Sequence, residues 1–183
     1  MTLIVLHGVE STGKTTLGRR LAGAFGAQFL PEFGRAFCEI HGTDCDVEDL
    51  LAIGRAQQAN IEVALLERPN VISDTDSLMT AAWAQMMLGE VPPALLGAHK
   101  ADLYLHCAPD TLFVEDGIRI YGDPVDRARF DMIARSVLHQ AAVSIVEVVG
   151  DWNERYRIAS SAVERVLQRA SQAQALDSLA GRR

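Results

Sequence analysis

The chain has few means of cross-linking itself. Its three cysteines, Cys38, Cys45 and Cys107, cannot all pair and show no C-x-x-C spacing. That arithmetic suits free thiols in a reducing compartment. Cys38, His41 and Cys45 lie close in sequence, but three ligands without a clear fourth make a poor closed zinc site, and they read as small, half-buried side chains. Long apolar runs are also missing: none approaches the roughly 18 residues needed to span a bilayer. The opening MTLIVLHGVES lacks a basic leader and a small-residue cleavage site. A soluble, cytoplasmic protein with no membrane partner is expected. Positive charge is in deficit, 17 Lys and Arg against 24 Asp and Glu for a net charge of -7. This leaves no sequence-wide cationic surface of the kind that non-specific nucleic-acid binding requires, so no nucleic-acid partner is expected. Repeats of fixed period and low-complexity tracts are absent. None of these features bears on oligomeric state.

What is present is enough apolar material, 49% of 183 residues, to bury one substantial core, which points to one domain and one active site. Short runs rich in Val, Ile and Leu recur at TLIVLHG, AQFLPE, NVISDTD, ADLYLHC and SIVEVVG. Between most of them lie stretches with apolar residues three and four apart: KTTLGRRLAGAF, VEDLLAIGRAQQANIEVALLER, SLMTAAWAQMML, RARFDMIARSVLHQA and ERYRIASSAVERVLQRA. This alternation predicts a parallel sheet flanked by helices. Gly54 sits against the helical reading of the second stretch. GEVPPALLGAHK reads as a connection, PDTLFVEDGIRIYGDPVDRARF as a long functional loop or lid, and SQAQALDSLAGRR as a frayed tail.

The strongest local signal is GVESTGKT, in which Gly8, Gly13, Lys14 and Thr15 match G-x-x-x-x-G-K-[ST] between an apolar run and a helical stretch. In such a loop the backbone N–H groups cradle phosphates, Lys14 reaches the β and γ oxygens, and Thr15 ligates magnesium. The glycines allow positive φ and close backbone approach, and the helix that follows adds the positive end of its dipole. Glu10, Ser11, Thr12 and Thr16 belong to the same nucleotide-binding loop.

In open α/β sheets, ligands sit beyond the carboxyl ends of the strands. Two such ends carry acids. Asp74, directly after a buried run, is placed to hold magnesium, directly or through water; Asp76 has two readings, a ligand beside it or a cap for the next helix. Glu32 closes AQFLPE, where it could accept the proton of an attacking hydroxyl or simply pair with Arg35 at the surface. Phe33 and Phe37 either floor a pocket for a flat ring or belong to the core. The irregular stretch supplies Arg119, Arg127 and Arg129, which a closing lid would bring to the charge that develops in phosphoryl transfer; Arg129 reads equally as a solvated charge.

Taken in order, GVESTGKT, PEFGRAF, ISDTDSLMTAAW, DGIRIYGDPVDRARF and VVGDWNERY resemble the ribosylnicotinamide kinase domain of the bacterial bifunctional NAD-salvage protein, a relative of the P-loop nucleotide kinases. The resemblance implies a P-loop three-layer sandwich with a five-stranded parallel sheet in the order 2-3-1-4-5 and a mobile lid. The expected boundaries are a kinase domain over 1–170, a lid over about 110–129, and a tail over 171–183. It implies transfer of the ATP γ-phosphate to the ribose 5′-hydroxyl of nicotinamide riboside, with ATP and Mg2+ as cofactors. Lys14, Glu32, Asp74, Arg119 and Arg127 then carry catalysis, and Thr15 and Asp74 the metal. Substrate contacts fall to Glu32, Phe33, Arg35, Asp74, Asp76, Trp83 and Asp116, with a core role for Trp83 equally open. Trp152, after the last strand, is expected to border the adenine. The bifunctional relatives carry a preceding adenylyltransferase domain, and adenylyl transfer is expected to belong to another protein. Two other readings stand beside this one. One is a kinase for another nucleoside or small metabolite. The other is a regulatory ATPase, for which neither Gln57 nor Gln58 presents itself as a switch glutamine.

Overall fold

The computed structural model describes residues 1–180. The β-branched runs become five strands, β1 (Thr2–His7), β2 (Gln28–Leu30), β3 (Asn70–Asp74), β4 (Leu103–Cys107) and β5 (Ile145–Val148). All pair in parallel in the order β2-β3-β1-β4-β5, the implied order. Successive side chains leave a strand on opposite faces, so β1 divides its residues between two cores. Leu3 and Val5 join one, with Tyr104 and Phe130; Ile4 and Leu6 join the other, with Leu17, Leu21 and Val163.

Among the described residues, seven helices cover the two faces: α1 (Lys14–Phe25), α2 (Phe33–His41), α3 (Val47–Glu67), α4 (Ser77–Leu88), α5 (Pro93–Leu96), α6 (Pro124–Gln140) and α7 (Trp152–Ala180). α1 and α7 pack behind the sheet, while α3, α4 and α6 pack in front. Local chemistry sets several ends. Asp46 and Asp49 form a reciprocal capping box on α3, Asp76 caps α4, and Asp123 with Pro124 opens α6. No helix among the described residues is long and apolar enough to cross a membrane.

Three stretches differ from the sequence reading. FGRAFCEIH forms α2, although its N-cap side chain makes no capping bond, none of its residues is fully buried and Ile40 lies exposed. Only the Phe33–Phe37 spacing betrayed a helix there. The connection GEVPPALLGAHK contains the single turn of α5, which Pro93 initiates at the first helical position. Residues 171–180, expected as a tail, continue α7: no glycine or proline interrupts Trp152–Ala180, and Ala, Gln and Leu propagate a helix well. Residues 181–183 of that expected tail lie outside the described residues.

Gly54 remains helical for a reason that lies far along the chain. A Cβ at Gly54 would stand 2.4 Å from Cδ2 of Leu95, which α5 drives into the core at 2% exposure. Glycine makes room for that plug. Gly54→Val should therefore destabilise the fold by about 1–3 kcal/mol through overpacking. Gly23→Ala, in open space on α1, should stabilise it by about 0.5–1 kcal/mol. Urea denaturation of both variants checks the pair.

Candidate active site

β1 ends at His7, and the chain turns at once because Gly8 adopts φ 122°. A Cβ there would meet the carbonyl oxygen of Cys107 at 2.5 Å, so only glycine lets the loop pass the end of β4. Ser11 (φ 57°) and Gly13 (φ 79°) complete the wrap, and Lys14 starts α1. Thr12 Oγ1 and Lys14 Nζ both donate to the carbonyl of Val9 at 2.9 Å, folding Lys14 back across the loop. The free N–H groups of the first turn of α1 face the same hollow, which is the arrangement that holds phosphate. Behind it, His7 and His106 are fully buried with Nδ1 atoms 3.3 Å apart, and His106 Nε2 lies 2.9 Å from Asp131. Burial, reinforced by His106 and Lys14, holds His7 well below the ordinary histidine range, so it stays neutral.

Thr15 Oγ1 donates to Oδ2 of Asp74. The other oxygen, Oδ1, is buried without a protein partner, and Asp74 as a whole is 1% exposed. A hydroxyl and a carboxylate with an unused oxygen at a phosphate loop are hard donors suited to Mg2+. Glu32 lies across the hollow at the N-cap of α2, half-buried, its carboxylate making no bond to the helix it caps. Burial pushes its pKa up to about 7, with Asp74 and Glu10 also raising it and Lys14 and Arg35 opposing. One continuous cavity joins Gly8–Thr16 to Glu32 and Arg35 and then runs on to Cys38, Cys45, Met79, Trp83 and Met87. Leu50, Ile53, Met79, Trp83 and Met87 make much of this part apolar, with Gln57 and Thr80 among them. Burial pushes the Cys38 thiol up, and that of Cys45 up to about 12, so both stay protonated.

The segment between β4 and α6 lies over the loop. Glu10 accepts from the N–H groups of Ile120 (3.3 Å) and Tyr121 (3.1 Å), and Val114 N–H donates to Ser11 Oγ at 2.8 Å. Thr111 Oγ1 donates to Ser11 O at 2.8 Å and Arg127 to Glu10 O at 2.8 Å. Arg119 reaches the cavity wall. Asp116 pairs with Arg119 at 3.2 Å and with Arg35 of α2 at 2.9 Å, tying the covering segment to the wall opposite the phosphate loop.

The model of a family described as "AAA domain" matches residues 3–155. The chain belongs to that family. This AAA domain is 29% identical over 163 residues to the "Trifunctional NAD biosynthesis/regulator protein NadR" of Salmonella typhimurium, with 84% of this chain and 40% of the relative aligned. The chain therefore spans about two fifths of the length of that curated relative. Two solved structures share its fold. One, titled as NadR in complex with NR, has TM-score 0.77 and 24% identity, with 90% of this chain and 51% of that chain covered. The other, titled as NadR in complex with NAD and AMP-PNP, has TM-score 0.75 and 23% identity, with 90% and 49% covered.

Within the AAA domain, Glu10, Ser11, Thr12, Gly13, Lys14, Thr15, Thr16, Glu32, Arg35, Trp83 and Arg119 line one cavity. Trp83 does so while also packing edge-on against Phe130, with ring centroids 4.5 Å apart, so one face of its surroundings is core and another is cavity. Several expected residues lie elsewhere. Asp76 is turned away: Leu78 and Met79 N–H groups and the Tyr104 hydroxyl (2.6 Å) take up its carboxylate, because the chain reverses at Thr75 (φ 73°) and β3 does not continue. Phe33 packs into the core, and Phe37 stacks on His41 at 4.5 Å. Arg127 grips the phosphate loop's backbone rather than the cavity, and Asp116 acts through its two arginines. Trp152 is 55% exposed with its ring against Gly13, where a Cβ would stand 2.4 Å from it.

Two residues received no structural role from the sequence, where Gln57 was weighed only as a switch glutamine. Arg155, 1% exposed, donates to Gly150 O (2.8 Å), Ala108 O (2.9 Å) and Thr12 O (3.1 Å) and pairs with Asp110, binding the phosphate loop to the ends of β4 and β5. Its signal was only its place in DWNER, one turn beyond Trp152. Gln57 is the other.

Glu32 holds its proton more tightly folded than unfolded, where its pKa is near 4.5. Its charge therefore costs stability as pH rises from about 4.5 through about 7. Glu32→Gln removes that cost. The variant should gain on the wild type between pH 5 and pH 8 by on the order of 1 kcal/mol, because a half-exposed carboxylate keeps much of its hydration. Denaturant midpoints at the two pH values measure it, and a difference that does not change with pH contradicts it.

Proposed function

We propose that this domain transfers the γ-phosphate of ATP to the ribose 5′-hydroxyl of nicotinamide riboside, giving nicotinamide mononucleotide. The observation that carries the reading is the continuity of the cavity. It runs from the phosphate loop, past a carboxylate whose pKa lies near neutrality, to Met79, Trp83 and Met87, side chains of the kind that receive an aromatic ring. The likeness to NadR, one structure of which is titled as a complex with NR and another as a complex with AMP-PNP, supports both acceptor and donor.

Lys14 and the loop amides hold the β- and γ-phosphates in this account. Thr15 and Asp74 would hold magnesium, whose charge would offset that of the phosphate oxygens. Glu32 accepts the proton of the 5′-hydroxyl as its oxygen bonds to the γ-phosphorus. The bond from that phosphorus to the β–γ bridging oxygen breaks, and ADP departs with the electron pair. A base with a pKa near 7 is half ionised at neutral pH, where proton acceptance is efficient. The stretch over about 110–129 serves as the lid: Arg119 meets the developing charge, while Arg127 and Glu10 dock the lid on the loop. Trp152 borders the adenine. We infer a cytoplasmic location, which fits the free Cys38, Cys45 and Cys107.

Mass-spectrometric analysis of a mixture of nucleosides with ATP and magnesium tests the acceptor. Phosphorylated nicotinamide riboside should dominate the products, whereas preferential phosphorylation of another nucleoside would transfer the same chemistry to that substrate. Lys14→Ala should reduce transfer by at least about a thousandfold. Glu32→Gln should lower kcat by roughly 100- to 10,000-fold, with ATP affinity within a few fold of wild type. An intact kcat in Glu32→Gln would move the role of base to Asp74.

A further inference from the structure

Gln57, on α3, is 1% exposed, and its amide bonds converge on the two strand ends that carry the acids. Oε1 accepts from Phe33 N–H at 2.8 Å; Nε2 donates to Ser73 Oγ at 2.9 Å and to Pro31 O at 3.4 Å. Phe33 and Pro31 flank Glu32, and Ser73 precedes Asp74. The orientation of the amide follows from chemistry: a backbone N–H can only donate, so the oxygen must face Phe33. Ser73 spends its own proton on Thr75 O at 2.7 Å, which leaves its oxygen to accept from Gln57.

The sheet cannot make this connection itself. β2 pairs with β3 only as far as Leu30 opposite Ser73, and the next residue, Pro31, has no N–H to extend the ladder. Phe33 opens α2, so its N–H has no acceptor within the helix and lies outside the reach of an N-cap side chain, which serves the second or third amide. Gln57 supplies the acceptor. The Glu32 carboxylate makes no bond to α2 and lines the cavity. Building on the kinase reading, we propose that Gln57 is a positioning residue that replaces the missing ladder bonds and sets Glu32 at its working separation from Asp74 and the phosphate loop. Gln57 acts on the acceptor half of the reaction and not on nucleotide affinity. A displacement of about 1 Å at a reacting group is enough to slow catalysis about a hundredfold.

Gln57→Met keeps length and burial but removes all three bonds; Ser73→Ala removes one. Two readouts are taken on each variant: steady-state kinetics with nicotinamide riboside and ATP, and hydrogen exchange at the Phe33 amide. Gln57→Met should lower kcat at least tenfold with KM for ATP within about twofold, and should deprotect Phe33 while the amides of β1 and β3 stay protected. Ser73→Ala should shift the same quantities in the same direction, but less. If Gln57→Met fails to fold, Ser73→Ala decides alone. Wild-type kcat, or a protected Phe33 amide, in the decisive variant overturns the proposal, as does loss of ATP affinity in step with kcat. A wild-type protein that phosphorylates no acceptor contradicts the proposed function instead, and Phe33 exchange still decides whether Gln57 holds the Glu32 segment.

Discussion

The parallel pairing of β1 with β3 sets Leu6 opposite Asp74, and the Thr75 N–H donates to Leu6 O at 3.0 Å just beyond it. From that register the rest follows. The chain leaving β1 becomes the phosphate loop, so the carboxylate at the end of β3 meets Thr15 at the start of α1. A slip of one residue would turn Asp74 to the opposite face of the sheet and part it from the loop. The next strand out, β2, ends one step sooner and delivers Glu32 to the same rim. The placing of the phosphate loop, Thr15, Asp74 and Glu32 is therefore a consequence of strand order and register, while α2, α3 and α4 supply Cys38, Ile53, Met79, Trp83 and Met87 to the same cavity.

Charge sharpens this geometry. Glu32 and Glu10 line the cavity with Lys14, and Asp74 is buried nearby, so burial and mutual repulsion lift Glu32 while Lys14 draws it back. A carboxylate that titrates near neutrality is the outcome. Glu10 in turn is occupied by the amides of Ile120 and Tyr121, and Arg127 by the loop carbonyl, so the segment between β4 and α6 and the phosphate loop share one set of bonds.

Features that depend on neighbours in the chain were legible in the sequence. Alternating strand and helix periods, GVESTGKT and acids just beyond apolar runs marked the sheet, the loop, Glu32 and Asp74. Features made by residues distant in sequence were not. Gln57 meets Pro31 and Ser73 across 26 and 16 positions, and Arg155 meets Thr12 across 143. Gly54 looked like a weakness in a helix until Leu95 was found against it. Asp76 was ambiguous because D-T-D reads as strand continuation or as a cap, and Thr75, with its left-handed backbone, decided for the cap. The family resemblance carried the acceptor further than periodicity could, since a pocket's shape is written in no single segment.

The most direct test follows the γ-phosphate itself. Wild-type protein is given ATP labelled at the γ-phosphate, magnesium and nicotinamide riboside, and the label is partitioned between organic product and inorganic phosphate. The account predicts label on the ribose 5′-oxygen, formed far faster than phosphate is released without acceptor. Label appearing only as inorganic phosphate, at a rate indifferent to nicotinamide riboside, would contradict it.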